Sequence, residues 1–145
     1  MKKVLFTLVL GAVAFIGSAQ DSGPMISLNK DTHDYGTIKL NADGNCEFVV
    51  TNTGTEPLIM SNCKGSCGCT VPKCEKNPIM PGESSIIKVA YDTKRVGPIN
   101  KSVTITSNAV NEPTKVIRIK GTVEGDPAGA TAPVKENNGL APVNK

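Results

Sequence analysis

The chain has 145 residues, no tryptophan, five aromatic side chains and a formal net charge of +3. That length suits a single domain, and its scattered charges lack the basic footprint needed for nucleic acid or an anionic membrane surface. So few aromatics also exclude base-stacking platforms and aromatic sugar-binding surfaces, and leave Val, Ile, Leu and Met to build the core.

The first element is an export signal. Met1-Lys2-Lys3 supplies a positive start, Val4 to Ile16 an apolar run too short to span a bilayer, and Gly17-Ser18-Ala19 the small residues of a peptidase site before Gln20. Residues 1–19 are therefore expected to be cleaved. Their loss removes two lysines and no acids, so the charge falls from +3 to +1, and Phe6 and Phe15 leave as well. No cysteine stands at the cut to carry a lipid, and no second long apolar run follows. The expected product is periplasmic or secreted, with no membrane-spanning segment.

Period-two alternation, bounded by turn residues, dominates residues 20–124. The predicted strands begin with Ile26 to Asn29, followed by a short extended piece from Asp34 to Ile38. Cys46, Phe48 and Val50 then alternate with their neighbours up to the turn Asn52-Thr53-Gly54. Leu58 and Met60 open a strand that leads into a cysteine cluster, and Pro78, Pro81 and Gly82 mark the next turn. Ile87, Val89 and Tyr91 form another alternating face, Gly97-Pro98 breaks the chain, and Val103 with Ile105 and Ile117 with Ile119 and Val123 complete the set. About seven short strands at this spacing predict an all-β, antiparallel, immunoglobulin-like β-sandwich, with a barrel as the competing arrangement. From residue 125 to 145 the composition turns to Gly, Ala, Pro and Asn without an apolar face, which predicts a flexible tail.

Four of the five cysteines, Cys63, Cys67, Cys69 and Cys74, fall within twelve residues. In an oxidising compartment such thiols pair, and closing a loop of this length contributes roughly 3 kcal/mol in the chain-entropy model. Cys63 with Cys74 would staple the base of the loop. A cross-sheet bond from Cys46, which shares a strand face with Phe48 and Val50, to Cys63 is the main rival. Cys67 paired with Cys69 would close a very small ring, more reducible than an ordinary structural bridge. A second chemistry is copper or zinc binding by soft thiolates, although Cys-x-Cys lacks the spacing of a zinc knuckle and His33 lies far off in sequence. A third, thiol redox catalysis, would want Cys-x-x-Cys at a helix N-terminus.

No phosphate loop or nucleophile elbow is present. Asp31, Asp34 and the Lys94-Arg95 pair read as solvated turn charges, and Asn100-Lys101-Ser102 as a chance sequon.

Several short runs, in this order, carry a resemblance. They are Phe48-x-Val50-x-Asn52-Thr53-Gly54, Pro57-Leu58, Ser66-Cys67-Gly68-Cys69-Thr70-Val71-Pro72, Pro78-Ile79, Pro81-Gly82-Glu83 and Ser107-Asn108. Over Asp34 to Val123 the chain resembles domain of unknown function family 1573, an exported bacterial group with an immunoglobulin-like sandwich similar to Hydin-type and major-sperm-protein-like domains. The resemblance implies fold and export and supplies no activity. Only Cys67 and Cys69 match its motif; Cys46, Cys63 and Cys74 stand where members tend to have apolar or aromatic residues.

The sequence thus predicts a non-enzymatic exported interaction or structural module without a cofactor, meeting protein partners in the cell envelope through end loops or an exposed sheet edge. The alternative is a periplasmic copper-binding or thiol-redox protein built on Cys67 and Cys69.

Overall fold

A computed structural model describes residues 22–125. The expectations for the leader, 1–19, and for the tail, 125–145, lie outside these residues except for Gly125. Eight strands form: β1 (Ile26–Leu28), β2 (Thr32–Lys39), β3 (Asn45–Asn52), β4 (Met60–Gly65), β5 (Thr70–Lys73), β6 (Ser84–Tyr91), β7 (Gly97–Ser107) and β8 (Thr114–Glu124). They make two four-stranded sheets, ordered β1-β3-β6-β5 and β2-β8-β7-β4. The immunoglobulin-like sandwich read from the alternation is what the chain forms.

Alternation drives the packing. On β3 and β6, Cys46, Phe48, Val50, Ile87, Val89 and Tyr91 are buried, and β8 contributes Ile117, Ile119 and Val123 from the opposing sheet. Register places Phe48 across from Ile87 and Cys46 across from Val89, so apolar side chains meet in cross-strand pairs as well as between sheets. Fully burying each such side chain contributes about 1.5–3 kcal/mol, so the aliphatic set supplies the driving force that scarce aromatics cannot.

Three local features differ from the sequence reading. An eighth strand, β5, forms after the cysteine loop and pairs with Lys88 to Tyr91 of β6. Its four residues are too few to show alternation, and they include Pro72. Val71 and Lys73 face β6, so the missing N–H of Pro72 points to the open side, where a proline is tolerated. Gly97-Pro98 opens β7 rather than interrupting the sheet. Here β4 does not yet run beside β7, so the absent donor of Pro98 leaves no ladder bond unmade. Finally, β2 runs parallel to β8 while the other ladders are antiparallel. The chain crosses between sheets after β1, and alternation reports which face is buried, not strand direction.

One pole of the sandwich is organised by asparagines. Asn52 is fully buried, and its carboxamide makes four hydrogen bonds. Nδ2 donates to the carbonyls of Glu56 (2.7 Å) and Ile79 (2.8 Å). Oδ1 accepts from the amides of Gly54 (2.9 Å) and Met25 (3.3 Å). Asn111 accepts from the amide of Ile26 and donates to its carbonyl, standing in for a neighbouring strand. Asn108 ties the amide of Ile59 to the carbonyl of Pro57 from an exposed position. Gly54 passes so close to the backbone of Gly23 to Met25 that a Cβ would collide with it. The Asn-Thr-Gly and Ser-Asn runs behind the family resemblance are thus parts of the scaffold.

Asn52→Ala would strand buried backbone groups, so equilibrium urea unfolding should show a loss of about 3 kcal/mol. Asn108→Ala, where water can replace the amide, should cost about 1 kcal/mol.

Candidate functional site

Two features stand out at the margin of the core. The first is the cysteine loop between β4 and β5, at the pole opposite Asn52. Cys63 is bonded to Cys74, eleven residues on, and Cys67 to Cys69, two residues on. Both bridges sit on the edge formed by β4 and β5, one nested inside the other. Gly65 lies against the carbonyl of Thr70, where a Cβ would not fit, so β4 and β5 close tightly beneath the inner bridge. Ser66 fixes the loop to β7: its amide donates to the Ser102 carbonyl (2.8 Å), and its Oγ accepts from the Ser102 amide (3.1 Å). The amide of Thr70 donates to the Cys67 carbonyl (3.2 Å), and that of Asp92 to the Cys69 carbonyl (2.9 Å).

Cys46 is not in a bridge. It keeps a free, buried thiol, which corrects the rival pairing with Cys63. The reason is topological: Cys46 lies on β3 with Tyr35 of β2 at its side, whereas β4 is the far edge of the opposing sheet. Burial pushes its thiol above the ordinary value, outweighing the opposite pull of the nearby Tyr35 hydroxyl and of Lys30. The Tyr35 hydroxyl is raised further still, chiefly by burial, and donates to the Gly44 carbonyl at 2.7 Å.

The second feature is a groove beside β6. On the side away from β3, β5 covers only Lys88 to Tyr91. Ser85 and Ile87 spend their backbone groups on β3, so by alternation the N–H and C=O of Ser84 and Ile86 point the other way. Among the described residues, no strand meets them there. The chain after β5 swings off instead: Leu58 and Ile79 exchange backbone hydrogen bonds of 2.9 and 2.8 Å, and Asn52 holds the Ile79 carbonyl. The space left is a cavity of 810 Å³ whose lining includes Lys73, Glu75, Pro78, Ser84, Ile86 and Lys88. Ile86 is 44% exposed, and the buried Ser85 hydroxyl, also in the lining, has no partner among the described residues.

Among the described residues, no group of three or more His, Cys, Asp or Glu side chains could hold a metal ion, and no helix is long and apolar enough to cross a membrane. Cys67 and Cys69, joined to each other, offer no thiolate to copper or zinc in this state. His33 sits within β2, edge-on to Tyr35, with Nδ1 3.0 Å from Lys30 Nζ. Burial and Lys30 lower its pKa, against a smaller upward pull from Asp34. Asp31 and Asp34 pair with Lys115 and Lys120, each at 3.3 Å, and Arg95 pairs with Asp92. Sequence reading missed Ser84 and Ile86. The proline after Asn77 signalled a turn, but not that the turn pulls a neighbouring strand away from β6.

The family model for a protein of unknown function, DUF1573, matches residues 26–123, the whole sandwich with both features on it. The chain belongs to the DUF1573 family. No curated protein matches it. Its fold is similar to that of a protein of unknown function from Porphyromonas gingivalis W83, with TM-score 0.63, 18% identity, and coverage of 75% of this chain and 51% of that one. The chain therefore spans about half the length of that structure. The ASH/PapD-like domain of human CEP192 follows at TM-score 0.58 and 7% identity, covering 86% of this chain and 99% of the domain. The Pseudomonas aeruginosa CupB2 chaperone gives TM-score 0.50 and 9% identity over 67% of this chain and 55% of its own. At these identities the likeness is one of fold. Within the family fold, the cysteine motif and the β6 edge are the places where chemistry is left over.

Thiol counting follows from the cysteine arrangement. Native protein should show no fast-reacting thiol toward Ellman's reagent, and protein in guanidinium, without reductant, should show one thiol, Cys46.

Proposed function

We propose that this chain is an exported, non-enzymatic recognition module of the cell envelope that binds an extended protein segment along β6. The observation that carries this reading is the uncovered half-edge. Ser84 and Ile86 present backbone donors and acceptors that no other described residue pairs, beside a groove of 810 Å³. An unprotected edge of this kind pairs readily with another chain, and main-chain hydrogen bonds supply affinity while pockets for alternate side chains supply selectivity. Lys73 and Lys88 with Glu75 and Glu83 line the groove in both signs of charge, which suits a polar extended segment better than a purely apolar one. The buried Ser85 hydroxyl would gain a partner from an occupant.

Export is part of the same proposal. It rests on the leader pattern of residues 1–19 and on two disulfides, which persist in oxidising compartments. The tail, 125–145, would be a spacer by composition. The fold supplies the scaffold alone, and the reading stands on the edge of β6.

The test is site-specific photocross-linking in intact cells, with the photoreactive residue at Ile86 or at Val116 on the outer face of the other sheet. A discrete protein adduct from position 86 only, abolished by a Ser84→Pro substitution that leaves the melting temperature unchanged, supports the proposal. Equal labelling from both positions, or an adduct indifferent to the proline, contradicts it. N-terminal sequencing of the same sample should begin at Gln20.

A further inference from the structure

We propose that the Cys67–Cys69 disulfide is a redox-active group that takes two electrons from a dithiol on a protein partner. This inference goes beyond the recognition reading and stands on a different part of the molecule, the pole opposite the asparagines.

A holding role does not account for this bridge. Cys63–Cys74 already closes the excursion between β4 and β5, and the inner bridge spans two residues within that closed loop. In the chain-entropy model the contribution falls with loop length, so a nested bridge this short restrains the unfolded chain less than the outer one does. Nor does the loop need it to keep its shape. The Thr70 amide to the Cys67 carbonyl, the Asp92 amide to the Cys69 carbonyl and the paired Ser66–Ser102 contacts hold the backbone on both sides of Gly68.

Three observations point to exchange chemistry. Cys67 is half-buried and Cys69 is buried, so Cys67 is the residue of the pair that solvent reaches and the one we assign to the incoming thiolate. Gly68 is exposed, its backbone has no positive φ, and apart from its neighbours Cys67 and Cys69 no described residue comes within 4 Å of where its Cβ would lie. No residue beyond the bridge itself packs so as to demand glycine there, and the loop tip carries no side chain at this position. Thr70 is buried, and among the described residues its hydroxyl has no hydrogen-bond partner but the two sulfurs, at 3.6 Å from Cys67 Sγ and 3.9 Å from Cys69 Sγ. Disulfide sulfur is a weak acceptor, so this buried donor is poorly satisfied while the bridge is closed. A thiolate is a strong one. The hydroxyl therefore favours the opened form and the expulsion of a sulfur next to it.

The reaction balances without a further reagent. A thiolate of the partner attacks Cys67 Sγ, the Cys67–Cys69 bond breaks, and Cys69 leaves as a thiolate that accepts from the Thr70 hydroxyl. The partner's second thiolate then attacks the partner sulfur of the mixed disulfide and expels Cys67. The partner ends as a disulfide, Cys67 and Cys69 as thiols, with the two protons and two electrons of the partner's thiols transferred to them. Thr70 acts here as a positioning residue.

The experiment equilibrates the processed chain in buffers of reduced and oxidised dithiothreitol, quenches with acid, alkylates, and reads each bridge separately by peptide mass spectrometry. Cys67–Cys69 should be half-reduced at a ratio about tenfold lower than Cys63–Cys74, or about 30 mV for this two-electron couple. Thr70→Val should move the half-point of the inner bridge about threefold toward harder reduction, and Thr70→Ser should leave it in place. The outer bridge serves as an internal check that each variant is folded. An inner bridge as resistant as the outer one overturns the proposal, as does a Thr70→Val half-point equal to that of the parent.

Discussion

The bond from the buried Asn52 carboxamide to the Ile79 carbonyl sets the shape of everything on one side of this sandwich. With the Leu58–Ile79 backbone pair it docks the chain after β5 onto the β3–β4 connection. Glu75 would otherwise continue the ladder opposite Ile86. The Cys63–Cys74 bridge holds the other end of the same segment to β4. Fastened at both ends toward the opposing sheet, residues 74–79 cannot lie down along β6, and the groove is what that restraint leaves behind. A buried amide with all four hydrogen bonds made is therefore a structural device with a consequence at the surface.

The two poles of the molecule divide the labour. At the asparagine pole, side-chain amides replace backbone partners that short strands cannot supply, as Asn111 does for Ile26. At the opposite pole the turns are held by backbone bonds and by Ser66, and the inner bridge packs against the end of the core through Cys69. The proposed recognition edge runs between these poles on β6. Its hydrogen-bonding groups are main-chain atoms, so affinity would come from the backbone while the flanking side chains set the choice of segment.

Much of the fold was legible because burial in a sandwich writes a period-two signal. Phe48 with Val50, Ile87 with Val89 and Ile117 with Ile119 each announce a strand and a face. What stayed hidden depends on partners distant in sequence. The parallel course of β2 beside β8 cannot be read from either strand alone, and β5 exists only because β6 offers it an edge. The same holds for the site. The Cys67-Gly68-Cys69 motif was visible as unusual chemistry, whereas the open groups of Ser84 and Ile86 emerge only once Ile79 is known to pair with Leu58. Cys46 illustrates the converse case: its apolar strand face was correctly readable, and that face places it beside Tyr35, out of reach of Cys63.

The central claim is that β6 is half-covered, its free donors held open by the anchors at Ile79 and Cys74. Amide hydrogen exchange followed residue by residue on the unliganded protein addresses this most directly. The amides of Ser85 and Ile87, bonded to β3, should be protected at least about a hundredfold more than those of Ser84 and Ile86 on the same strand. Uniform protection from Ser84 through Ile87 would show that something already pairs with this edge, and would contradict the account.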